Sequence, residues 1–267
     1  MHDFDDNPGG SFIGNGKKLN DYIGEYKRMG NHVKRYQFAK SFVTRKEVIE
    51  FGCGYGAGAV LLDPYVQRYI GVDIDKDAIS YAKNNIEKVF SNIQFFEFND
   101  FINLRPAVKA DVVVCFEVIE HVKDPNTLIS TLKDMTKSSG TILISTPNGL
   151  SSKGNKALFR TKFHVYEYSP IELYNLLRSH GIVSYYGEKR IDSMDVRWLI
   201  NRFKYVKEDN NDDNNSPVPL GRSLLFNLAN RFFNGAFFWR IQQIEPLREN
   251  EINYSTLIAV LKLGYEI

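Results

Sequence analysis

Two carboxylates and two imidazoles are the side chains of this 267-residue sequence with the clearest capacity for chemistry. Glu117, Glu120 and His121 stand at i, i+3 and i+4, so a helical turn there would project all three from one face. We expect His164, farther along the chain, to fold back over the same place. Such a set suits octahedral Mg²⁺ or Mn²⁺, with water or acceptor oxygens completing the shell. Without metal, either histidine would act as a general base; a purely structural hydrogen bond to a loop is the remaining interpretation of His121.

A glycine-rich segment, Glu50-Phe51-Gly52-Cys53-Gly54-Tyr55-Gly56, follows one apolar run of the sequence. Glycines permit a tight turn and let the backbone approach a ligand, and a helix after them directs free N–H groups towards it. Asp73 ends the next apolar run, where a carboxylate accepts hydrogen bonds from a ribose diol. The spacing Gly52-x-Gly54-x-x-Ala57 also satisfies the nicotinamide-dinucleotide fingerprint, so a dehydrogenase and a plain strand-to-helix turn are alternatives.

Acidic and aromatic residues around these segments indicate the charge of the ligand. The carboxylate of Glu50, directly before the glycines, would repel a pyrophosphate but suits an ammonium or sulfonium group. The acid and the ring in Asn99-Asp100-Phe101 suit the amino group and the face of an adenine. A dehydrogenase would not carry the acidic cluster at 117–121. Together these residues favour a cationic nucleoside ligand over a dinucleotide.

The elements that would position these residues alternate in type from residue 48 onward. Short apolar runs separated by amphipathic stretches are typical of an α/β sheet with helices on both faces. The continuous run Val112–Phe116 indicates a central strand buried on both sides. Strands are predicted at 48–51, 69–72, 93–96, 112–116, 141–145, 182–186 and 255–262, and helices at 17–45, 56–63, 76–90, 124–138, 170–180 and 222–243.

Composition excludes several classes of protein. With 43% hydrophobic and 25% charged residues, the chain can bury a core and is not globally disordered. The formal net charge of +2 does not indicate bulk binding of nucleic acid, and the isolated Cys53 and Cys115 exclude a disulfide framework or a CxxC motif. The acidic first residues lack an apolar leader and no apolar run of about 18 residues occurs, so we expect a cytoplasmic protein without a transmembrane segment.

Six segments, in this order, resemble the motifs of class I S-adenosylmethionine-dependent methyltransferases. They are VIEFGCGYGAG (48–58), GVDID (71–75), FND (98–100), FEVIEHV (116–122), ISTPN (144–148) and FHVYEYS (163–169). The resemblance implies a Rossmann-like, doubly wound, seven-stranded and mostly parallel sheet, with an antiparallel strand near 255–262 and S-adenosylmethionine as cofactor. It also implies a cofactor site that includes Arg35, which would reach the methionine carboxylate, together with Glu50, Gly52, Cys53, Gly54, Gly56, Asp73, Ile74, Asn99, Asp100, Phe101 and Phe116.

The branch that looks most similar contains ubiquinone-type O-methyltransferases and bacterial methyltransferases of polysaccharide pathways, whose His-x-x-Arg-Tyr helix resembles His32–Tyr36. That resemblance implies methyl transfer to a hydroxyl, which we expect to belong to a sugar in glycan biosynthesis. Small-RNA 3′-terminal 2′-O-methyltransferases resemble the chain in a Glu-x-x-Glu-His segment and a later His that bind metal. RNA 2′-O-methylation, with Mg²⁺ or Mn²⁺ on Glu117, Glu120, His121 and His164, is therefore one alternative. A catalytically silent, cofactor-binding partner subunit is another.

The remaining segments bear on the acceptor and on domain organisation. Basic residues cluster before residue 47 and again at 153–162, which favours an anionic small molecule or glycan; solvated helix faces are the alternative. The aromatic helix candidate 222–243 is interpreted as a lid, a homodimer contact or a shallow membrane contact. The predicted organisation is an N-terminal arm and helical cap at 1–46, a core at 47–189, a lid insertion at 190–250 with a mobile loop at 208–219, and a C-terminal edge strand at 251–267.

Overall fold

The computed structural model describes residues 30–104, 108–150, 163–190, 239–243 and 254–264. Within these ranges helices and strands alternate as α1 (Gly30–Val43), β1 (Glu47–Phe51), α2 (Ala57–Leu62), β2 (Arg68–Asp73), α3 (Lys76–Ala82), β3 (Ile93–Glu97), α4 (Phe98–Leu104), β4 (Ala110–Phe116), α5 (Pro125–Asp134), β5 (Thr136–Pro147), α6 (Pro170–Leu177), β6 (Ile182–Arg190), β7 (Trp239–Gln243) and β8 (Thr256–Lys262). Short π-helical or 3₁₀ segments follow α3, β4 and α6 at Lys83–Glu87, Ile119–His121 and Arg178–His180.

The eight strands form one sheet in the order β3-β2-β1-β4-β5-β8-β6-β7. Strands β1 to β5 pair in parallel. Strand β8 lies antiparallel between β5 and β6, so β6 runs in the same direction as the parallel strands. The strand order reverses between β1 and β4, and sheets of this kind bind ligands outside the carboxyl ends of their strands at such a switch point.

Helices cover both faces of the sheet. The apolar side chains of α1, α2 and α3 pack on one face, with Ala39 and Leu62 fully buried there. Those of α4, α5 and α6 pack on the other, where Leu128 and Leu173 are fully buried. Every residue of Val112–Phe116 is buried, because β4 lies in the middle of the sheet and is covered on both sides.

The predicted Rossmann-like, doubly wound and mostly parallel sheet is confirmed, as is its antiparallel strand at Thr256–Lys262. The sheet contains one strand more than the seven predicted. Strand β7 pairs with β6 where the sequence pattern predicted the end of helix 222–243, so sheet hydrogen bonds replace helical ones there. The predicted helix 124–138 was also too long, since α5 ends at Asp134 and β5 begins at Thr136 beside β4.

Several predicted segments lie outside the described residues. They are the arm up to residue 29, the basic segment 153–162, residues 222–238 of the aromatic helix candidate and the loop 208–219. None of the helices in the described ranges combines the length and apolar character needed to cross a bilayer.

Candidate active site

Three glycines in the left-handed backbone region shape the turn between β1 and α2. Their φ angles are 81° at Gly52, 51° at Gly54 and 83° at Gly56, values that residues with side chains rarely adopt. A Cβ at Gly52 would collide with Val118, which follows β4, whereas a Cβ at Gly54 would meet no atom within 4 Å. The turn therefore packs against the end of β4 on one side and leaves open space beside Gly54 for a ligand.

The carboxylate of Asp73, at the end of β2, faces this turn. One oxygen accepts a hydrogen bond from the Gly54 N–H at 2.7 Å and the other accepts one from the Asp75 N–H at 2.9 Å. These bonds fix the plane of the carboxylate. Burial raises the pKa of Asp73, although the backbone N–H groups oppose that rise. Ile74, the next residue, is exposed beside it. The geometry suits a vicinal diol such as that of ribose.

Glu50 lies beneath the turn rather than at an open surface. Its carboxylate accepts hydrogen bonds from the Tyr36 hydroxyl at 2.5 Å and from the Tyr69 hydroxyl, and the side chain is fully buried. Its Oε2 lies so close to Gly58 of α2 that any side chain at that position would collide with it. Burial raises the pKa of Glu50 to about 7. In this structure Glu50 thus supports the turn from below and has no open path to a cationic ligand.

The other residues predicted to line the cofactor differ in exposure. Asn99 and Asp100 are exposed at the start of α4, directly after β3. Phe101 is fully buried and packs against Phe96, with ring centroids 5.9 Å apart, so its ring belongs to the core and offers no face to an adenine. Cys53 and Phe116 are buried as well. The exposed edge next to Asp73 is therefore formed by the β3–α4 junction without the predicted aromatic ring.

Arg35 of α1 is buried among acidic side chains. Its Nη1 lies 3.1 Å from Glu117 Oε1 and 3.6 Å from Glu188 Oε2, and it donates a hydrogen bond to Thr256 Oγ1 at 3.4 Å. Burial alone would lower the pKa of Arg35, but the neighbouring carboxylates raise it above its ordinary value. The guanidinium expected to reach a methionine carboxylate is thus engaged by side chains at the ends of β4, β6 and β8.

Glu117, the first residue after β4, is turned towards α1. Its backbone has a φ of 57°, which is uncommon for a residue with a side chain. Its Oε1 accepts a hydrogen bond from Ser145 Oγ at 2.9 Å in addition to the contact with Arg35. The group of side chains close enough to hold a metal, among the described residues, contains Glu120, His121 and His164 but not Glu117. The predicted four-residue cluster is therefore a cluster of three in this structure.

The cluster of Glu120, His121 and His164 is compact, with one donor atom from each residue within 4.8 Å of the others. Glu120 is 1% exposed; its Oε2 accepts a hydrogen bond from Thr146 Oγ1 at 3.1 Å. Its Oε1 has no hydrogen-bond partner in the described part of the chain and lies 4.0 Å from His121 Nε2. Burial raises the pKa of Glu120 well above its ordinary value. A buried, unpaired carboxylate oxygen beside two imidazoles suits a cation or a shared proton.

Hydrogen bonds determine which nitrogen of each imidazole is available. His121 Nδ1 lies 3.0 Å from the carbonyl oxygen of Phe163, which only accepts, so Nδ1 carries the proton. His164 Nδ1 lies 3.0 Å from Glu167 Oε1 and donates in the same way. In the neutral form of each ring, Nε2 is then the nitrogen that carries the lone pair. Burial lowers the pKa of His121, although the Phe163 carbonyl partly opposes this, and the shift favours the neutral imidazole.

Several residues that build the site were missed by sequence reasoning. Ser145 and Thr146 donate hydrogen bonds to Glu117 and Glu120. Both lie in the segment ISTPN, where two hydroxyls in an otherwise apolar strand could have indicated that they contact polar groups of the site. The sequence predicts Tyr69 to be an ordinary core residue, because no neighbouring residue indicates its hydrogen bond to Glu50. Glu188 lies beyond the predicted end of its strand, so no feature of the sequence indicated its contact with Arg35.

Comparisons with known proteins agree with this geometry. The profile of a family described as "Methyltransferase domain" matches residues 25–191. A protein of Mycobacterium tuberculosis named "Probable S-adenosylmethionine-dependent methyltransferase" is 29% identical over 172 residues, which is 62% of this chain and only 61% of that protein's own length. A ubiquinone biosynthesis O-methyltransferase of Glaesserella parasuis is 32% identical over 108 residues, 39% of this chain and 46% of that protein. The crystal structure of a SAM-dependent methyltransferase from Archaeoglobus fulgidus matches with a TM-score of 0.56 at 16% identity, covering 92% of this chain and 100% of that one.

Proposed function

The chain belongs to the S-adenosylmethionine-dependent methyltransferases, and from this premise we propose that it transfers the methyl group of S-adenosylmethionine to a hydroxyl oxygen. The observation that carries this proposal is the cluster of Glu120, His121 and His164. Two of its members, Glu120 and His121, follow β4, and Val118, which also follows that strand, packs against Gly52 of the glycine turn. A relative named as a ubiquinone biosynthesis O-methyltransferase supports oxygen as the accepting atom.

Residues at the carboxyl ends of β1, β2 and β3 would hold the cofactor. When bound, S-adenosylmethionine supplies an electrophilic methyl group on a positively charged sulfur. Asp73 would accept hydrogen bonds from the ribose hydroxyls, since its carboxylate is held in place by the N–H groups of Gly54 and Asp75 at the end of β2. The open space at Gly54 admits the ligand next to the backbone, and the exposed Asn99 and Asp100 are placed to meet the adenine amino group.

The two histidines would make the acceptor nucleophilic. A hydroxyl attacks an electrophilic methyl group faster as its proton is removed, and a neutral imidazole near working pH is suited to that task. The Nε2 atoms of His121 and His164 are the free ends of rings whose Nδ1 atoms are already held. Glu120 would accept a hydrogen bond from the resulting imidazolium at its unpaired Oε1. We therefore assign the general base to His121 or His164, with Glu120 as its acidic partner.

The same three side chains fit a divalent cation. Two imidazole nitrogens and one carboxylate oxygen leave positions open for water and for an acceptor hydroxyl. The hydrogen bonds from each Nδ1 orient both rings, as outer partners commonly do around metal ligands. Of Mg²⁺ and Mn²⁺, this donor set favours Mn²⁺, because imidazole is a softer ligand than the oxygens that Mg²⁺ prefers. Such an ion would lower the pKa of an acceptor hydroxyl and fix its position.

For the acceptor we propose a sugar hydroxyl of an anionic glycan or glycan precursor. Its support is the sequence, through the basic segments before residue 47 and at 153–162. The segment 190–250 is proposed as an insertion that covers the acceptor, and a homodimer and a cytoplasmic location belong to the same proposal. The Glu120–His121–His164 cluster also suits a metal-assisted RNA 2′-O-methyltransferase, which is the second candidate.

The test uses the purified protein, methyl-labelled S-adenosylmethionine, and separate glycan and RNA fractions. We expect label in the glycan fraction, loss of that label in His121→Ala, and its retention in the control His180→Ala. His180 is a suitable control because it precedes β6, at the amino end of the strands and away from the cluster. Label in RNA alone would replace the glycan by RNA as the acceptor. Binding of S-adenosylhomocysteine without label in either fraction would favour the silent subunit.

Chelation tests the metal separately. We expect EDTA to abolish turnover and added Mn²⁺ to restore it, with Mg²⁺ less effective. Direct titration of Mn²⁺ by electron paramagnetic resonance should show a bound ion in the wild type and none in His164→Ala. Turnover that is insensitive to EDTA would remove the metal and leave the histidines as a metal-free base.

A further inference from the structure

Three carboxyl groups surround the buried guanidinium of Arg35. Glu117, Glu188 and Glu120 all act electrostatically on Arg35, and Glu117 and Glu188 lie within 4 Å of it. Glu188 is fully buried, and neither of its carboxylate oxygens has a hydrogen-bond partner within the described ranges. Arg35 is the guanidinium that these carboxyl groups share, so its contacts help to determine how they are oriented.

Glu117 is the most exposed member of this group. The contacts from Arg35 and from Ser145 both involve Oε1, and within the described residues no hydrogen bond reaches its Oε2. The side chain is 27% exposed, whereas Arg35 and Glu188 are 1% and 0% exposed. Its neighbour Val118 packs against Gly52 in the glycine turn between β1 and α2. Glu117 thus has one oxygen held by Arg35 and Ser145, while its other oxygen accepts no hydrogen bond within the described residues and the side chain stays partly exposed.

The left-handed backbone at Glu117 makes this orientation dependent on its partners. A φ of 57° costs free energy for a residue with a Cβ and persists where surrounding contacts impose it. The Glu117 N–H donates to the Ser145 carbonyl, and its side chain is held by the Ser145 hydroxyl and by Arg35. Ser145 belongs to β5, whereas Arg35 belongs to α1. The contact between Arg35 and Glu117 therefore forms only when α1 packs against the sheet.

We propose that Arg35 is a positioning residue that fixes Glu117 so that its free carboxylate oxygen accepts a hydrogen bond from the ammonium group of the cofactor's amino-acid end. The inference rests on the proposed function, since it presumes S-adenosylmethionine in the site. It differs from the sequence-based expectation for Arg35, in which the guanidinium itself contacts the methionine carboxylate. A guanidinium that is 1% exposed and already paired with two carboxylates acts through its partner.

The experiment compares two ligands by isothermal titration calorimetry: S-adenosylhomocysteine, and 5′-methylthioadenosine, which lacks the amino-acid end. We expect Glu117→Gln to weaken S-adenosylhomocysteine on the order of 10- to 100-fold, the loss of a charge-assisted hydrogen bond. Binding of 5′-methylthioadenosine should change less than about twofold, because it has no ammonium group to lose. Arg35→Gln should show the same selective loss, and the double variant should be no weaker than Glu117→Gln alone.

Glu188→Gln is the matched control, because Glu188 contacts the same guanidinium from β6 and is closed off from the crevice. It should shift the melting temperature without changing the affinity ratio of the two ligands. If Arg35→Gln does not fold, Arg35→Lys takes its place in the experiment. Because this variant keeps the positive charge, it should retain part of the affinity ratio between S-adenosylhomocysteine and 5′-methylthioadenosine.

Three results would overturn the inference. A selective loss in Arg35→Gln but not in Glu117→Gln would place the guanidinium on the cofactor carboxylate. Two outcomes would mean that Arg35 and its carboxyl partners only attach α1 to the sheet. One is an equal loss of affinity for both ligands, and the other is the same change of their affinity ratio in Glu188→Gln. A wild-type protein that binds neither ligand would instead refute the proposed function.

Discussion

Replacing Glu50 by Gln gives a stability change whose pH dependence follows from the structure. Burial raises the pKa of this carboxyl from 4.5 to about 7, a gap equivalent to about 3.4 kcal/mol. Because the folded state holds the proton more tightly, the stabilisation is complete below pH 4.5 and is lost as pH rises through 7. Between pH 5 and pH 8 the loss from this residue alone is about 2.5 kcal/mol. The isosteric amide cannot ionise, so Glu50→Gln should not show it.

The assay is urea denaturation of the wild type and of Glu50→Gln at pH 5 and pH 8. The difference in unfolding free energy between the two proteins should move by about 2.5 kcal/mol in favour of the variant on going to pH 8. Every other titrating group is common to both proteins and cancels in that comparison. Parallel behaviour of the two proteins across this pH range would show that Glu50 ionises normally, and the assignment of Glu50 as a buried carboxyl with a raised pKa would be wrong.

Four other substitutions test separate parts of the account. Gly54→Ala should destabilise the fold by about 1–2 kcal/mol because its φ is left-handed. Gly52→Ala should destabilise it by more, because the added Cβ would also collide with Val118. Urea midpoints equal to that of the wild type would contradict both expectations. Asp73→Asn should weaken S-adenosylhomocysteine and 5′-methylthioadenosine alike, by roughly 10-fold in calorimetry, and unchanged affinities would remove Asp73 from the ribose site. Ser169→Ala should lower the unfolding free energy by about 1 kcal/mol because it removes the capping box of α6 with Glu172; an unchanged melting temperature would show that the cap contributes nothing.

Sequence periodicity was sufficient for the parts of the fold that depend on local pattern. The glycine turn and Asp73 were located because glycines and an acid at the ends of successive apolar runs meet at one edge of a parallel sheet. Strand β7 was not predicted, because it forms by pairing with β6 across a long stretch of chain. Helix α4 was likewise absent from the predictions, since Phe98 and Phe101 continue the apolar character of β3.

The side chains of the site were harder to place because their directions depend on tertiary contacts. The i, i+3, i+4 spacing assumed a regular helix, but only Ile119–His121 is helical there, as a 3₁₀ turn, and Glu117 has a left-handed backbone. Glu117 therefore meets Arg35 instead of the histidines. Burial of Glu50 against Tyr36 and Tyr69 follows from how α1 packs on the sheet, which no local pattern encodes.

The most direct test of the account is a calorimetric titration of the purified wild-type protein with S-adenosylhomocysteine and, separately, with NAD⁺. The turn with its open Gly54 and the adjacent Asp73 predict saturable binding of one S-adenosylhomocysteine per chain and no measurable heat with NAD⁺. Binding of NAD⁺ in preference to S-adenosylhomocysteine would contradict the central claim that this edge of the sheet holds a sulfonium nucleoside.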